Sequence, residues 1–221
     1  MSEKDKKEPN FRRPDIPGWI REEAPAYNTS RWDRQGEYTL DDYYALPEDE
    51  PAELIDGVLY DMGAPLFVHQ DLALMIASQL KDQLDKKGGP CKAHISPVDT
   101  ILGEDRKTIL QPDVFILCDR DKERRWGVIG APEFILEILS PSTKRKDMTV
   151  KYRKYRECGV REYWMLDVEN RRMIICDLEG DKEERIVPLK GKEGLLIYKE
   201  EVKLDLDKIA ALIEEYESLP E

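Results

Sequence analysis

The chain has 221 residues, 40% hydrophobic and 37% charged, which suits one core-forming domain with an extension or at most two small domains. No apolar run approaches the roughly 18 residues of a bilayer span, and the charged start "MSEKDKKEPN" has no apolar segment behind it, which argues against a secretory leader. With 35 basic against 47 acidic residues the net charge is −12, a poor balance for general nucleic-acid binding, so any DNA contact must be met locally.

Residues 1–36 are polar, carry Pro9, Pro14, Pro17 and Pro25, and show no sustained periodicity. They read as an extension, extended or disordered, with Trp19 and Trp32 as its packing residues. Residues 37–221 form the domain. "YTLDDYYALPED" predicts a short helix capped by Thr39, with Asp41 and Asp42 in its first turn. "AELIDGVLYDMG" predicts two strands around the turn dipeptide Asp56-Gly57. From His69 to Lys87 the apolar residues Leu72, Ile76, Leu80 and Leu84 keep helical spacing, and Gly88-Gly89 ends the helix. "HISPVDTIL" and "ILQPDVFILC" read as two strands joined by the polar loop "GEDRKT", and "EFILEIL" as a third. Residues 143–158 predict a basic helix ended by Gly159. "VREYWMLDV" and "RRMIICDL" follow as strands, and "LDLDKIAALIEEYESL" is an amphipathic tail helix. This order predicts an α/β fold, with helices around one mixed central sheet.

With only His69 and His94 a multi-histidine metal site is excluded, and no GxSxG elbow is present. Cys91, Cys118, Cys158 and Cys176 lie far apart without a CxxC pair, which predicts reduced thiols in a cytoplasmic protein.

The apolar run Phe134–Leu139 encloses Glu137, and a buried ionised carboxylate needs a partner, a proton or a metal. Asp113 opens the second apolar run, Val114–Leu117. If the two strands are neighbours, two carboxylates share one sheet edge, and a cation between them relieves their repulsion. Hard oxygen ligands suit Mg²⁺ or Mn²⁺. The competing expectation is a pair of carboxylates at strand ends, solvated or paired with arginine. Asp147, Lys151 and Tyr155 fall at i, i+4 and i+8 and share a helix face; on spacing alone an ordinary Asp–Lys surface pair is favoured.

The series Glu53, "QPDV", "EFILEILSPST", "DMTVKYRKY", "GVREYWMLD" resembles the bacterial restriction-endonuclease-like family of Uma type, a branch of the PD-(D/E)XK nuclease superfamily. The resemblance runs from about Tyr38 to the C-terminus. It implies a restriction-endonuclease-like core and a Mg²⁺- or Mn²⁺-dependent endonuclease acting on DNA. Asp113, Glu137 and the Ile138 carbonyl are the metal ligands it implies, with Glu53 as an accessory acid. The superfamily's E-x-K pattern would place lysine where this chain has Leu139. The resemblance is to a variant whose lysine comes from the next helix, which points to Lys151, with Lys144 and Lys146 as rivals. His69 opens its helix where the family often has histidine; the reading kept here is structural. Ser140 and Thr143 are expected to cap the basic helix, and Tyr163 and Trp164 to be core.

"KRKDMTVKYRKYR" carries seven basic residues and one acidic one beside the proposed ligands, a helix suited to tracking a phosphate backbone; the competing expectation is a solvated face. A homodimer would double that surface. Two rival functions stand: a catalytically degenerate nuclease-fold binding or regulatory protein, and a metal-free hydrolase using paired carboxylates.

Overall fold

Two proline-interrupted extended segments decide the architecture. In the computed structural model, residues 32–180 and 184–220 are described. The chain enters through α1 (Leu40–Tyr44), where Thr39 and Asp42 form the reciprocal capping box. The hairpin β1 (Ala52–Ile55) and β2 (Val58–Asp61) turns at Asp56 and Gly57, both with positive φ, as a tight two-residue hairpin turn requires. A Cβ on Gly57 would lie 2.5 Å from the Gly36 carbonyl oxygen. Helix α2 (Phe67–Lys87) begins two residues before the expected start and ends at Gly88.

Each of the two strands expected next is in fact two. Pro97 and Pro112 lack the N–H that a continuous ladder needs, and the chain changes sheets near them. The first run gives β3 (Lys92–Ile95) and β4 (Asp99–Ile101); the second gives β5 (Ile109–Leu110) and β6 (Val114–Leu117). Strands β7 (Glu123–Arg124), β8 (Gly127–Ile129) and β9 (Phe134–Leu139) follow. The basic helix is α3 (Lys144–Lys146), a π-helical turn (Asp147–Lys151) and α4 (Tyr152–Cys158), running on from one to the next. Then come β10 (Glu162–Asp167), β11 (Arg172–Asp177), β12 (Arg185–Pro188), β13 (Lys192–Gly194), β14 (Lys203–Asp205) and α5 (Leu206–Glu217).

The central sheet has the order β12-β11-β10-β9-β6-β3 and is mixed: β9 and β10 are parallel and the other pairs antiparallel. The expectation of one sheet is corrected by a second six-stranded sheet, β2-β1-β5-β4-β8-β7. On one face of the central sheet, α2 and α5 bury Leu72, Ile76, Leu80, Ile209 and Ile213 against Ile116, Leu136 and Trp164. On the other face, Tyr155 of α4 and Ile55, Leu102 and Leu110 of the second sheet region pack on Ile135, Tyr163 and Met165. Leu54 and Leu59 lie in a third cluster with Leu40 and half-buried Trp32. Because side chains alternate along a strand, Leu54 joins that third cluster while Ile55 and Glu53 turn toward the central sheet.

Most of the proposed extension, Trp19 included, lies outside the described residues. Trp32 donates from its indole to Asp61 at 3.3 Å. The expectation of four free thiols is corrected: Cys91 and Cys118 are joined by a disulfide, and Cys158 and Cys176 are free. The ladder explains the pairing, because β3 and β6 match Lys92 with Leu117 and so bring the next residues out opposite each other.

Asp167, at the end of β10, accepts from Arg172 Nε at 2.9 Å, Asn170 Nδ2 at 2.9 Å and Lys144 Nζ at 3.1 Å. Burial pushes its carboxyl up, and these donors outweigh that and hold it below the usual carboxylate range. Asp167→Ala is expected to lower stability by about 2 kcal/mol in urea unfolding at neutral pH. The difference from wild type is complete above about pH 4 and shrinks as the pH falls below it, because the depressed folded pKa is the source of the stabilisation.

Candidate active site

The site begins with strand register. Strands β6 and β9 pair Val114 with Leu136 and Phe115 with Ile135, so one step further Asp113 stands opposite Glu137. Glu137 shares its face with Ile135 and Leu139, the face that the helix 144–158 covers. From that helix Lys151 Nζ lies 3.0 Å from Glu137 Oε1, and Tyr155 Oη donates to the same oxygen at 2.7 Å. Glu53 arrives from β1 with Oε1 2.9 Å from Lys151 Nζ and Oε2 2.6 Å from Lys146 Nζ. Asp147 Oδ1 is 3.3 Å from Lys151 Nζ. Glu53, Glu137, Lys146, Asp147 and Lys151 are each less than 5% exposed.

Donors sort the carboxylate oxygens. Asp113 Oδ2 accepts from the Ile138 N–H at 2.7 Å and lies 3.1 Å from His69 Nε2, while Oδ1 carries no such bond. Glu137 Oε1 takes the Lys151 and Tyr155 bonds, and Oε2 has only a long 3.4 Å contact from the Asp113 N–H. Each carboxylate therefore keeps one oxygen uncommitted. Asp113, Glu137 and Ile138 line a cleft of about 530 Å³ whose walls include Met62–Leu66, Ser140–Lys144 and Asp167–Glu169.

The charges do not balance within the cluster. Four carboxyl groups, Glu53, Asp113, Glu137 and Asp147, face two lysines, Lys146 and Lys151, and His69. Burial raises the Glu137 carboxyl well above its usual range, and the neighbouring Asp113, Asp147 and Glu53 add to that against Lys151. Burial likewise raises Asp147. Glu53 goes the other way: burial would raise it, but with two lysines on it the carboxyl is held down at about 2. Burial works against the Lys151 ammonium, and the three carboxylates around it overcome this and raise it well above its ordinary value.

The structure thus brings Glu53, Asp113, Glu137, Ile138 and Lys151 together. Among the rival lysines, Lys146 reaches Glu53, whereas Lys144 is held at the cleft wall by Asp167 and Glu169. Leu139, at the position of the usual lysine, is packed in the core. Asp147, Lys151 and Tyr155 share a face across the π-helical turn, a feature frequent at functional sites. Ser140 Oγ accepts from the Thr143 N–H at 3.2 Å, whereas the Thr143 side chain makes no capping bond. Sequence reasoning missed the pairing of Lys146 with Glu53 and the seat of His69 on Asp113; both partners are remote in sequence, and neither residue type signals them.

The basic helix turns Lys146, Lys151 and Lys154 inward, each buried on carboxylates of this chain. Lys144, Lys146, Lys151, Arg153 and Lys154 are all ion-paired with carboxylates of this chain. A short helix beside a buried acidic cluster supplies cations inward first.

A family model described as "Uma2: Putative restriction endonuclease" matches residues 40–206, about three quarters of the chain. The chain belongs to this family. Within Uma2 terms, its fold is also that of a solved structure from Anabaena variabilis ATCC 29413, described as a putative nuclease belonging to DUF820. That likeness has a TM-score of 0.66 at 17% identity and covers 79% of this chain and 98% of the other. An uncharacterized protein of Synechocystis sp. is 31% identical over 107 residues, covering 48% of this chain. The match spans about half the length of that relative, 54%. All the residues of the cluster from Glu53 to Tyr155 fall inside the Uma2 match. Among the described residues no helix is long and apolar enough to cross a membrane.

Proposed function

We propose that this Uma2 protein is a divalent-cation-dependent endonuclease that hydrolyses DNA phosphodiester bonds. The observation that carries the reading is the pair of uncommitted oxygens, Asp113 Oδ1 and Glu137 Oε2, brought opposite each other by strand register in one cleft. Among the described residues no three His, Cys, Asp or Glu side chains group as a metal site. The donor set argued for is two carboxylates and the Ile138 carbonyl, hard oxygens of the kind Mg²⁺ and Mn²⁺ prefer, and such an ion offsets the excess of acids over lysines. When bound, the cation supplies Lewis acidity toward a phosphodiester oxygen and activates water.

The chain's own residues do the rest. Lys151 offers a fixed positive charge beside Glu137, suited to orienting the attacking water or stabilising charge that builds on phosphorus-bound oxygens. Glu53 and Asp147 keep that lysine protonated and in place. Tyr155 holds Glu137 Oε1 and so turns Oε2 outward. Glu53 acts in this reading as a positioning acid.

A second reading, a nuclease-fold binding module without catalysis, is favoured by one observation: the basic residues near the cleft are occupied by internal ion pairs. Calorimetric titration of Mn²⁺ separates the two without knowledge of the target sequence. Wild type is expected to bind Mn²⁺ stoichiometrically and Glu137→Ala to lose that binding. Equal heats for both proteins, with a phosphodiester duplex present, would move the conclusion to the binding module.

A further inference from the structure

We propose that His69 aims Asp113 at the cation, as a positioning residue and not as a ligand; the inference rests on the cation-dependent reading above. His69 lies in the first turn of α2, a 21-residue helix whose Leu72, Ile76 and Leu80 are fixed in the core against β6 and β9. The ring therefore meets the site from a rigid element on the side opposite the lysine-bearing helix.

Its Nε2 lies 3.1 Å from Asp113 Oδ2. The Ile138 N–H bonds that same Oδ2 at 2.7 Å. Two donors on one oxygen fix the carboxylate plane and leave Oδ1 as the oxygen with nothing bound to it. Partners of this kind commonly set the orientation of a carboxylate ligand, and their loss weakens metal affinity 10–100-fold.

The other ring nitrogen decides between positioning and ligation. A histidine that binds metal through one nitrogen usually donates its second N–H to a partner. Here Nδ1 is buried with no hydrogen-bond partner. Nothing in its surroundings supports a proton on Nδ1, so Nε2 carries the hydrogen and serves as donor.

The test uses the full chain and Mn²⁺ alone. His69→Ala is expected to weaken Mn²⁺ binding by about 10–100-fold in calorimetry, with the melting temperature monitored to separate this from loss of folding. Glutamine places an amide N–H where Nε2 was, so His69→Gln is expected to recover most of the affinity. Asparagine reaches only as far as Nδ1, so His69→Asn is expected to behave as alanine. The pulsed electron paramagnetic resonance spectrum of bound Mn²⁺ is expected to lack imidazole nitrogen coupling in wild type. Such a coupling, lost in His69→Gln, would make His69 a ligand and overturn the proposal. Wild-type Mn²⁺ affinity in His69→Ala would overturn it too, while leaving the cation site intact. Absence of Mn²⁺ binding in wild type itself would overturn the reading on which the proposal rests.

Discussion

Replacing Lys151 with methionine is expected to destabilise the fold by about 3–5 kcal/mol, the usual range for removing one partner of a buried ion pair, and to abolish cleavage. The size follows from the geometry. One ammonium group lies within 3.3 Å of Glu53, Glu137 and Asp147, all buried, and Lys146 alone cannot compensate three carboxylates. Methionine keeps the apolar stem, so the loss reports charge and not packing. The check is the urea midpoint at constant m-value. Adding Mn²⁺ is expected to restore part of the lost stability, because a cation at Asp113 and Glu137 relieves the same repulsion. Acid acts on this network with a defined sign. Glu53 titrates in the folded protein at about 2 because Lys151 and Lys146 overcome its burial. Its stabilisation is whole above the ordinary glutamate value of about 4.3 and is lost as pH falls through about 2. In Lys151→Met that acid-side loss is expected to be smaller. An unchanged midpoint in the variant would show that the ammonium is not what holds the carboxylates.

Glu137→Gln is expected to do the opposite to stability while doing the same to activity. The Glu137 carboxyl is raised well above its ordinary range, so ionising it in place is unfavourable. A neutral amide removes that penalty and can still accept from Lys151 and Tyr155. The variant is expected to be as stable as wild type or more stable by about 1–2 kcal/mol, with cleavage reduced at least about 10³-fold, a loss of roughly 4 kcal/mol of transition-state stabilisation. A residue kept for packing does not behave this way; a residue kept for chemistry at the expense of stability does. If Glu137→Gln were destabilising and active, the carboxylate would be structural.

Much of this arrangement is legible in the sequence. The Asp113 and Glu137 runs are short and apolar with a single acid each, and the i, i+4, i+8 series Asp147, Lys151, Tyr155 survives the π-helical turn. The Thr39 cap and the Asp56-Gly57 turn follow from local chemistry and were readable for that reason. What failed to read was long-range. A proline in an apolar run signals a break, but not that the two halves join different sheets, as β3 and β4 or β5 and β6 do. Lys146 and Lys154 look like surface lysines in one dimension; only the approach of Glu53 and Asp56 from the β1–β2 hairpin shows that they are buried. The Cys91–Cys118 bond likewise depends on a ladder register that spacing does not encode.

The most direct test is cleavage itself. Purified wild type is incubated with supercoiled plasmid DNA and Mn²⁺ or Mg²⁺, beside a chelator control and Glu137→Gln at equal concentration. Nicked or linear products are expected with wild type and cation only, and none with chelator or with the variant. Equal products from wild type and Glu137→Gln, or products that persist in chelator, would contradict cation-dependent cleavage through Glu137.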